Sequence, residues 1–243
     1  MQQNVPFLAI DCGNTQIKIG VFLNGEIVKL LRLQPEEIDV AKRLAEDYPI
    51  AAAAMVSVAK KEITSKIHEI FPEILTISSS SVLPYKMGYE TPNSLGLDRM
   101  CNAAALYSKP FKGYKVAIDI GTCVKFDVLD DQNNYLGGSI SPGIGLRYQS
   151  LNDYTAQLPL LNEKGQLPLI GKNTIACMQS GVINGIKAEI DQFIAKFEQE
   201  YHDLTFFVTG GDANSFDFAG KNNIFVDENL TLKGLEIIYS LNA

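Results

Sequence analysis

The chain has 243 residues, of which 46% are hydrophobic and 20% charged, and its formal net charge of −7 comes from 21 basic and 28 acidic residues. This length suits one large domain or two smaller ones, and the composition is that of a globular protein with ample material for a core. The acidic balance, without a basic run, argues against nucleic acid as a partner. The longest apolar stretch is too short to span a bilayer. We therefore expect no membrane partner and a cytoplasmic location.

The cysteines also indicate a cytoplasmic protein. Cys12, Cys101, Cys123 and Cys177 form no Cys-x-x-Cys pair, so we interpret them as reduced thiols of a cytosolic protein. The two histidines lie far from any cysteine in the sequence, which disfavours a zinc site. Acid–base chemistry in this chain would therefore fall to carboxylates.

In chain order, the first half predicts three strands and then alternating helices and strands. Alternating apolar residues predict strands, and Asn24-Gly25 is a strong hairpin signal between the second and the third. The alanine-rich stretch 51–58 favours a strand, with a helix as the rival assignment. An irregular loop, 83–99, closes this half. The predicted elements are strands 7–11, 17–21 and 26–33, helix 35–47, strand 51–58, helix 60–71 and strand 74–77.

The second half opens with the same order of elements. It predicts strands 116–119, 124–129 and 135–140, helices 143–152 and 174–201, strands 205–209 and 223–226, and a closing helix 230–241. The repeated order indicates an internal duplication of one α/β domain. We expect an N-terminal domain over residues 1–112 and a C-terminal domain over residues 113–243.

Two segments at the start of these halves are nearly the same. Ile10-Asp11-Cys12-Gly13-Asn14-Thr15 and Ile118-Asp119-Ile120-Gly121-Thr122 each end a strand in an acid and then turn at glycine. Glycine lets the backbone approach a ligand closely, backbone amides and hydroxyls suit phosphate oxygens, and the acid suits a metal. A single such turn is usually only a hairpin. A duplicated pair predicts a clamp for a nucleotide phosphate chain.

A third element stands between the two turns. Asp98 and Arg99 follow Gly96-Leu97 at the start of an apolar-faced helix. Asp98 could simply cap that helix and Arg99 could be a surface residue. The functional reading is a carboxylate that accepts a hydroxyl proton beside a cation that holds an anionic group, as phosphoryl transfer requires.

With these residues the chain resembles the type III pantothenate kinases of the acetate/sugar kinase, heat-shock protein and actin superfamily. The order and spacing of the motifs agree from residue 7 to about residue 240, and Gly-x-Asp-Arg between two Asp-x-Gly turns is the distinctive combination. The matching segments are Asp11–Lys18, Gly96–Arg99, Asp119–Thr122, Gly137–Gly143 and Thr209–Gly211.

The resemblance implies two ribonuclease H-like (actin-like ATPase) domains with mixed sheets flanked by helices, and a nucleotide and substrate cleft between them. It implies transfer of the ATP γ-phosphate to the hydroxyl of pantothenate, giving 4′-phosphopantothenate, the first step to coenzyme A. It also implies a homodimer, Mg²⁺ and a monovalent cation, K⁺ or NH₄⁺.

Residue roles are carried over from the same resemblance. Asp98 would be the catalytic base, Asp11 would lie near Mg²⁺, possibly through water, and Asp119 would hold the monovalent cation. The residues implied to bind ATP are Asp11, Cys12, Gly13, Asn14, Thr15, Gln16, Ile17, Lys18, Thr122, Gly210 and Gly211. Those implied to bind pantothenate are Tyr89, Gly96, Leu97, Asp98, Arg99 and Thr174.

Simpler roles stay open for some of these residues. Tyr89 could be a core residue, Thr174 would cap its helix in either case, and Arg147 reads as a solvated helix arginine that could reach a phosphate or carboxylate. Two other functions also remain: a kinase of another small alcohol or acid with the same fold, and a non-catalytic nucleotide-binding regulator.

Overall fold

The computed structural model describes residues 5–13, 15–165, 167–218 and 222–243. Its strands are β1 (Phe7–Cys12), β2 (Ile17–Leu23), β3 (Glu26–Leu33), β4 (Ala52–Ser57), β5 (Leu75–Thr76), β6 (Lys86–Met87), β7 (Tyr114–Ile120), β8 (Cys123–Leu129), β9 (Asn134–Pro142), β10 (Leu204–Thr209) and β11 (Ile224–Val226). Its helices are α1 (Lys42–Asp47), α2 (Lys61–Ile70), α3 (Leu97–Ser108), α4 (Ile144–Asp153), α5 (Thr174–Glu200) and α6 (Leu230–Asn242).

The chain divides into two units. The first unit is Met1–Lys109 with Leu230–Ala243, and the second unit is Pro110–Asn229. The division near residue 113 predicted from the sequence differs from this mainly at the C-terminus, because α6 lies in the first unit. There it packs against α3: Thr231 donates a hydrogen bond to the buried side chain of Asn102 at 2.9 Å.

The sheet of the first unit has the strand order β3-β2-β1-β4-β5. β1, β2 and β3 are antiparallel neighbours, whereas β4 runs parallel to both β1 and β5. Asn24 and Gly25 both have positive φ, as the predicted tight hairpin requires. The alanine-rich β4 is a strand because it lies between two strands, where small buried side chains let helices approach the sheet.

Five strands of the second unit repeat this arrangement in the order β9-β8-β7-β10-β11. β7, β8 and β9 are antiparallel neighbours, and β10 runs parallel to β7 and β11. Each strand thus has a counterpart in the first unit, which confirms the predicted duplication and the α/β class with two mixed sheets. The core of this unit lies between one face of the sheet and residues of α4 and α5, among them Tyr148 and Ile186.

One predicted helix has a different form. Residues 35–47 begin as a 3₁₀ helix, Pro35–Ala41, and only then continue as α1. The side chain of Glu37 reaches back to the backbone N–H of Gln34, which closes a capping box at the start. Among the described residues, no helix is both long and apolar enough to cross a bilayer.

Candidate active site

The first predicted phosphate turn joins β1 to β2. The Gly13 amide donates to the carbonyl of Gln16 at 3.1 Å, and a Cβ on Gly13 would lie only 2.9 Å from that oxygen. The turn is thus too tight for a side chain at position 13. Cys12 and Ile17 are fully buried, so they face the core and could offer only backbone groups to a ligand. Asn14, also predicted here, lies outside the described residues.

Asp11 and Lys18 are paired across this turn in the β1–β2 register. Residues directly opposite each other on antiparallel strands place their side chains on the same face of a sheet. Asp11 is partly exposed and Lys18 is at intermediate burial. A carboxylate and an ammonium group therefore lie on one face at the end of β1.

Asp98 lies in the first turn of α3 but does not cap it. The N-cap residue is Gly96, and the Asp98 carboxylate accepts a hydrogen bond from the Arg99 backbone N–H at 2.9 Å. The capping role considered for Asp98 is therefore wrong. A negatively charged residue in the first turn interacts favourably with the helix dipole.

Arg99 is a buried residue, with 4% of its surface exposed. Its guanidinium carbon lies 5.8 Å from the centre of the Tyr89 ring, a cation–π contact. The surface role considered for Arg99 is therefore wrong, and the two residues predicted to bind one substrate are in contact.

The buried thiol of Cys101 lies within electrostatic range of both Asp11 and Asp98. Burial raises the pKa of this thiol well above its usual range, and the charges of Asp11 and Asp98 raise it further. Both carboxylates therefore lie near one side chain of α3. The first unit brings its phosphate turn and the Gly96–Arg99 element together, although nearly eighty residues separate them in the sequence.

In the second unit, the second phosphate turn lies beside the Gly210-Gly211 turn. β7 and β10 are parallel neighbours, with Asp119 opposite Thr209, so both turns follow at the same edge of the sheet. Gly210 has a φ of +99°, and a Cβ there would lie 2.2 Å from the carbonyl oxygen of Ile120 and 2.6 Å from a carboxylate oxygen of Asp119. Only glycine fits this approach. The structure thus brings Asp119, Gly210 and Gly211 together, with Thr122 in the same turn as Asp119.

The carboxylate of Asp119 is held by a lysine that sequence reasoning missed. Lys125 stands opposite Asp119 in the β7–β8 register, and its ammonium nitrogen lies 2.8 Å from the carboxylate. The side chains are only 15% and 11% exposed. The sequence contained a signal for this ion pair, because Lys18 stands opposite Asp11 in the first copy of the turn as Lys125 stands opposite Asp119 in the second.

A second lysine near these turns was also missed. Lys164, in the segment between α4 and α5, forms an ion pair with Asp212, the residue after Gly211. The Asp212 amide in turn donates to the carbonyl oxygen of Ile120 at 2.9 Å. A cation on a separate segment is thus tied to the predicted nucleotide turn.

Thr174 lies elsewhere in the second unit. It is the first residue of α5, whose cap is Asn173, so the capping role expected of Thr174 is wrong. Thr174 lines a cavity of about 670 Å³ between α4 and α5, together with Arg147, Ser150 and Met178. Arg147 is not a free surface arginine, because it pairs with Glu189 and donates to the carbonyl of Pro142 at 2.8 Å.

Comparison with known proteins decides the family. The family model described as type III pantothenate kinase matches residues 7–196, which is most of the chain. The chain belongs to the type III pantothenate kinase family. Curated members include proteins from Phocaeicola vulgatus, at 37% identity over 97% of this chain and 98% of the relative, and Flavobacterium johnsoniae, at 35% identity over 96% of each.

Solved structures agree on the fold. A Campylobacter jejuni protein described as a Baf family transcriptional activator matches with a TM-score of 0.59 and 20% identity, over 96% of this chain and 97% of that one. The inorganic polyphosphate/ATP-glucomannokinase from Arthrobacter sp. strain KM matches with a TM-score of 0.51 and 15% identity, over 99% and 100%. At these identities the likeness establishes the fold, which a sugar kinase shares.

Proposed function

We propose that this protein transfers the γ-phosphate of ATP to the hydroxyl of pantothenate, giving 4′-phosphopantothenate. The observation that carries the proposal is membership in the type III pantothenate kinase family, with relatives that match almost the whole chain. Both Asp-x-Gly turns and the Gly96–Arg99 element lie within the matched residues. No observation on the described residues favours a second function.

In this proposal, Asp98 is the catalytic base. Its carboxylate accepts the hydroxyl proton of pantothenate as the hydroxyl oxygen attacks the γ-phosphorus, and ADP leaves with the electrons of the broken P–O bond. The first turn of α3 holds the carboxylate, and the N–H of Arg99 fixes one of its oxygens. Such positioning is the main contribution of a protein to phosphoryl transfer.

The proposed pantothenate site uses Tyr89, Gly96, Leu97, Arg99 and Thr174. Arg99 offers a buried guanidinium to the substrate carboxylate, and burial strengthens a charge-assisted hydrogen bond. Tyr89 offers a ring face that already packs on that guanidinium. A Cβ at position 96 would lie 2.7 Å from a carboxylate oxygen of Asp98, so Gly96 leaves room for that carboxylate.

The proposed ATP site consists of the Asp11–Lys18 turn together with Thr122, Gly210 and Gly211. Glycine at positions 13 and 210 is required by the close packing of these turns, and such turns allow a backbone to approach phosphate oxygens closely. The placement of the nucleotide in a cleft between two domains remains a prediction.

Mg²⁺ fits the residues of the first turn. Among the described residues there is no cluster of three or more His, Cys, Asp or Glu side chains able to hold a metal. Mg²⁺ is usually held by one or two carboxylates, waters and substrate phosphates, so the single partly exposed Asp11 suffices. When bound, the ion neutralises charge on the transferring phosphates.

The monovalent cation fits less well. The resemblance assigns K⁺ or NH₄⁺ to Asp119, whereas that carboxylate is held by the ammonium group of Lys125. No step of the proposed reaction is therefore assigned to a free monovalent cation.

A homodimer and a cytoplasmic location complete the proposal. The segment between α4 and α5 carries strongly exposed apolar side chains, with Tyr154 at 87%, Leu169 at 80% and Ile170 at 76% exposure. Large exposed apolar side chains in one region are typical of a protein–protein interface. The cytoplasmic location rests on the free thiols, since oxidising compartments favour disulfides.

The test is ATP-dependent phosphorylation of pantothenate with Mg²⁺ and K⁺, by wild type and by Asp98→Asn. Loss of a general base lowers kcat by about 10²–10⁴-fold, and we expect that loss with little change in the KM for pantothenate. Asp39→Asn is the matched control, because Asp39 is exposed and forms an ion pair with the nearby, equally exposed Lys42. Absence of turnover by wild type would overturn the pantothenate assignment and direct the assay to other small alcohols and acids.

A further inference from the structure

The ion pair between Asp119 and Lys125 lies beside the second phosphate turn, in the second unit. Asp119 is the next-to-last residue of β7, beside the turn proposed to meet the ATP phosphates, and the ammonium nitrogen of Lys125 on the neighbouring strand lies 2.8 Å from its carboxylate. Both side chains are largely buried. Because water screens buried charges only weakly, the electrostatic attraction between these two groups is stronger than that between a pair on the surface.

The backbone covers the carboxylate on another side. A Cβ on Gly210 would lie 2.6 Å from Asp119 Oδ1, while Lys125 binds Oδ2. The two carboxylate oxygens thus face different neighbours. A free cation would have to displace the ammonium group or share the carboxylate with it against charge repulsion.

The charge requirement at this turn is simple. A bare carboxylate aimed at the ATP phosphates would repel them, and one positive charge at the carboxylate removes that repulsion. K⁺ and NH₄⁺ each supply one such charge. The side chain of Lys125 supplies the same charge as an ammonium group that is covalently attached to the protein.

We propose that the Lys125 ammonium group serves as the built-in monovalent cation of this chain, so that its kinase reaction needs neither K⁺ nor NH₄⁺. This inference rests on the proposed function. Lys125 is then a positioning residue, because it acts on the nucleotide through the charge of Asp119.

The first phosphate turn has the same acid–lysine pairing as the second, which supports the role proposed for Lys125. Asp11 and Lys18 are paired in the same way across β1 and β2 as Asp119 and Lys125 across β7 and β8. An acid facing a lysine is therefore a feature of both turns. In the second turn, the lysine is bound directly to the carboxylate and shielded from water.

The first experiment uses the wild-type protein. Phosphorylation of pantothenate is measured with MgATP in KCl, NaCl, NH₄Cl and choline chloride at equal ionic strength. We expect kcat/KM to agree within about twofold in all four salts, because the required charge is covalently attached. Turnover in KCl and NH₄Cl that is lost in choline chloride would overturn the inference and leave the kinase assignment standing.

Two variants of the lysine sharpen the result. Lys125→Ala removes the charge and opens space, so activity in choline chloride should fall about tenfold or more and recover in KCl or NH₄Cl. Lys125→Met removes the charge but keeps most of the volume, so the same loss should not be rescued. Lys187→Ala, which breaks an exposed pair with Asp191, is the control and should behave as wild type. Equal activity of Lys125→Ala and wild type in choline chloride would contradict the proposal.

Thermal unfolding gives a readout that does not depend on turnover. An ion that binds only the folded state of a protein raises the melting temperature of that protein. We expect the melting temperature of wild type to be equal in KCl and choline chloride, and that of Lys125→Ala to be higher in KCl. If no salt supports turnover by wild type, the kinase proposal fails, and this melting pattern still decides whether Lys125 replaces the ion. A K⁺-dependent rise for wild type would overturn the inference.

Discussion

Asp98 depends on the residue that precedes it by two positions. Gly96 has ordinary backbone angles, φ −58° and ψ 132°, so alanine is sterically allowed there as far as the backbone is concerned. A Cβ at this position would, however, lie 2.7 Å from Asp98 Oδ1. The glycine therefore keeps space for the carboxylate in its observed orientation.

We predict that Gly96→Ala impairs catalysis more than folding. The Asp98 carboxylate must rotate away from the new methyl group, and a misplaced catalytic group lowers kcat by about ten- to a hundredfold. The free energy of unfolding should fall by no more than about 1 kcal/mol, since alanine is only a poorer N-cap than glycine. Steady-state kinetics and urea unfolding measure the two effects. Gly145→Ala, in the first turn of α4 with open space around it, is the control, and wild-type kcat in Gly96→Ala would contradict the interpretation.

At the scale of elements, the contact between α3 and α6 holds the first unit together across the length of the chain. A Cβ on Gly234 of α6 would lie 1.7 Å from the carbonyl oxygen of Cys101 in α3. The two helix backbones are thus in direct contact. Cys101 is the residue whose thiol lies near Asp11 and Asp98, so this contact also supports the proposed site.

We predict that Gly234→Ala lowers the free energy of unfolding by about 1–3 kcal/mol, the usual cost of overpacking. The physical reason is that α6 must move away from α3 to make room for the methyl group. Gly181→Ala is the matched control in α5, where nothing lies within 4 Å of the added carbon. That change should stabilise by about 0.5–1 kcal/mol through helix propensity. Urea unfolding midpoints compare the two variants. An unchanged midpoint for Gly234→Ala would show that the helices tolerate separation.

At the scale of the whole molecule, the proposed homodimer makes the exposed segment between α4 and α5 the place to test. We predict that light scattering coupled to size-exclusion chromatography gives twice the mass of one chain for wild type. Ile170→Asp should reduce it to a monomer, because a buried unpaired charge opposes association. Val40→Asp changes an exposed valine of the first unit and should leave the dimer intact. A monomeric wild type would contradict the homodimer.

Much of the fold was predictable because it is local. Period-two alternation and glycine turns appear in neighbouring residues, so the duplicated strand–turn–strand units and most element positions could be read from the chain. The acids at the strand ends follow from the same pattern. The 3₁₀ start at Pro35–Ala41 was not predicted, since its helical periodicity does not distinguish it from an α-helix.

The sequence by itself determined the α/β class, the internal duplication and the residues that carry the family resemblance. Only the tertiary structure decided that α6 joins the first unit, that Arg99 is buried on Tyr89, and that Lys125 holds Asp119. These features depend on packing between segments distant in sequence or on the register between strands. Local residue patterns record the conformation of a segment, whereas such contacts form only when several elements bury their apolar faces together.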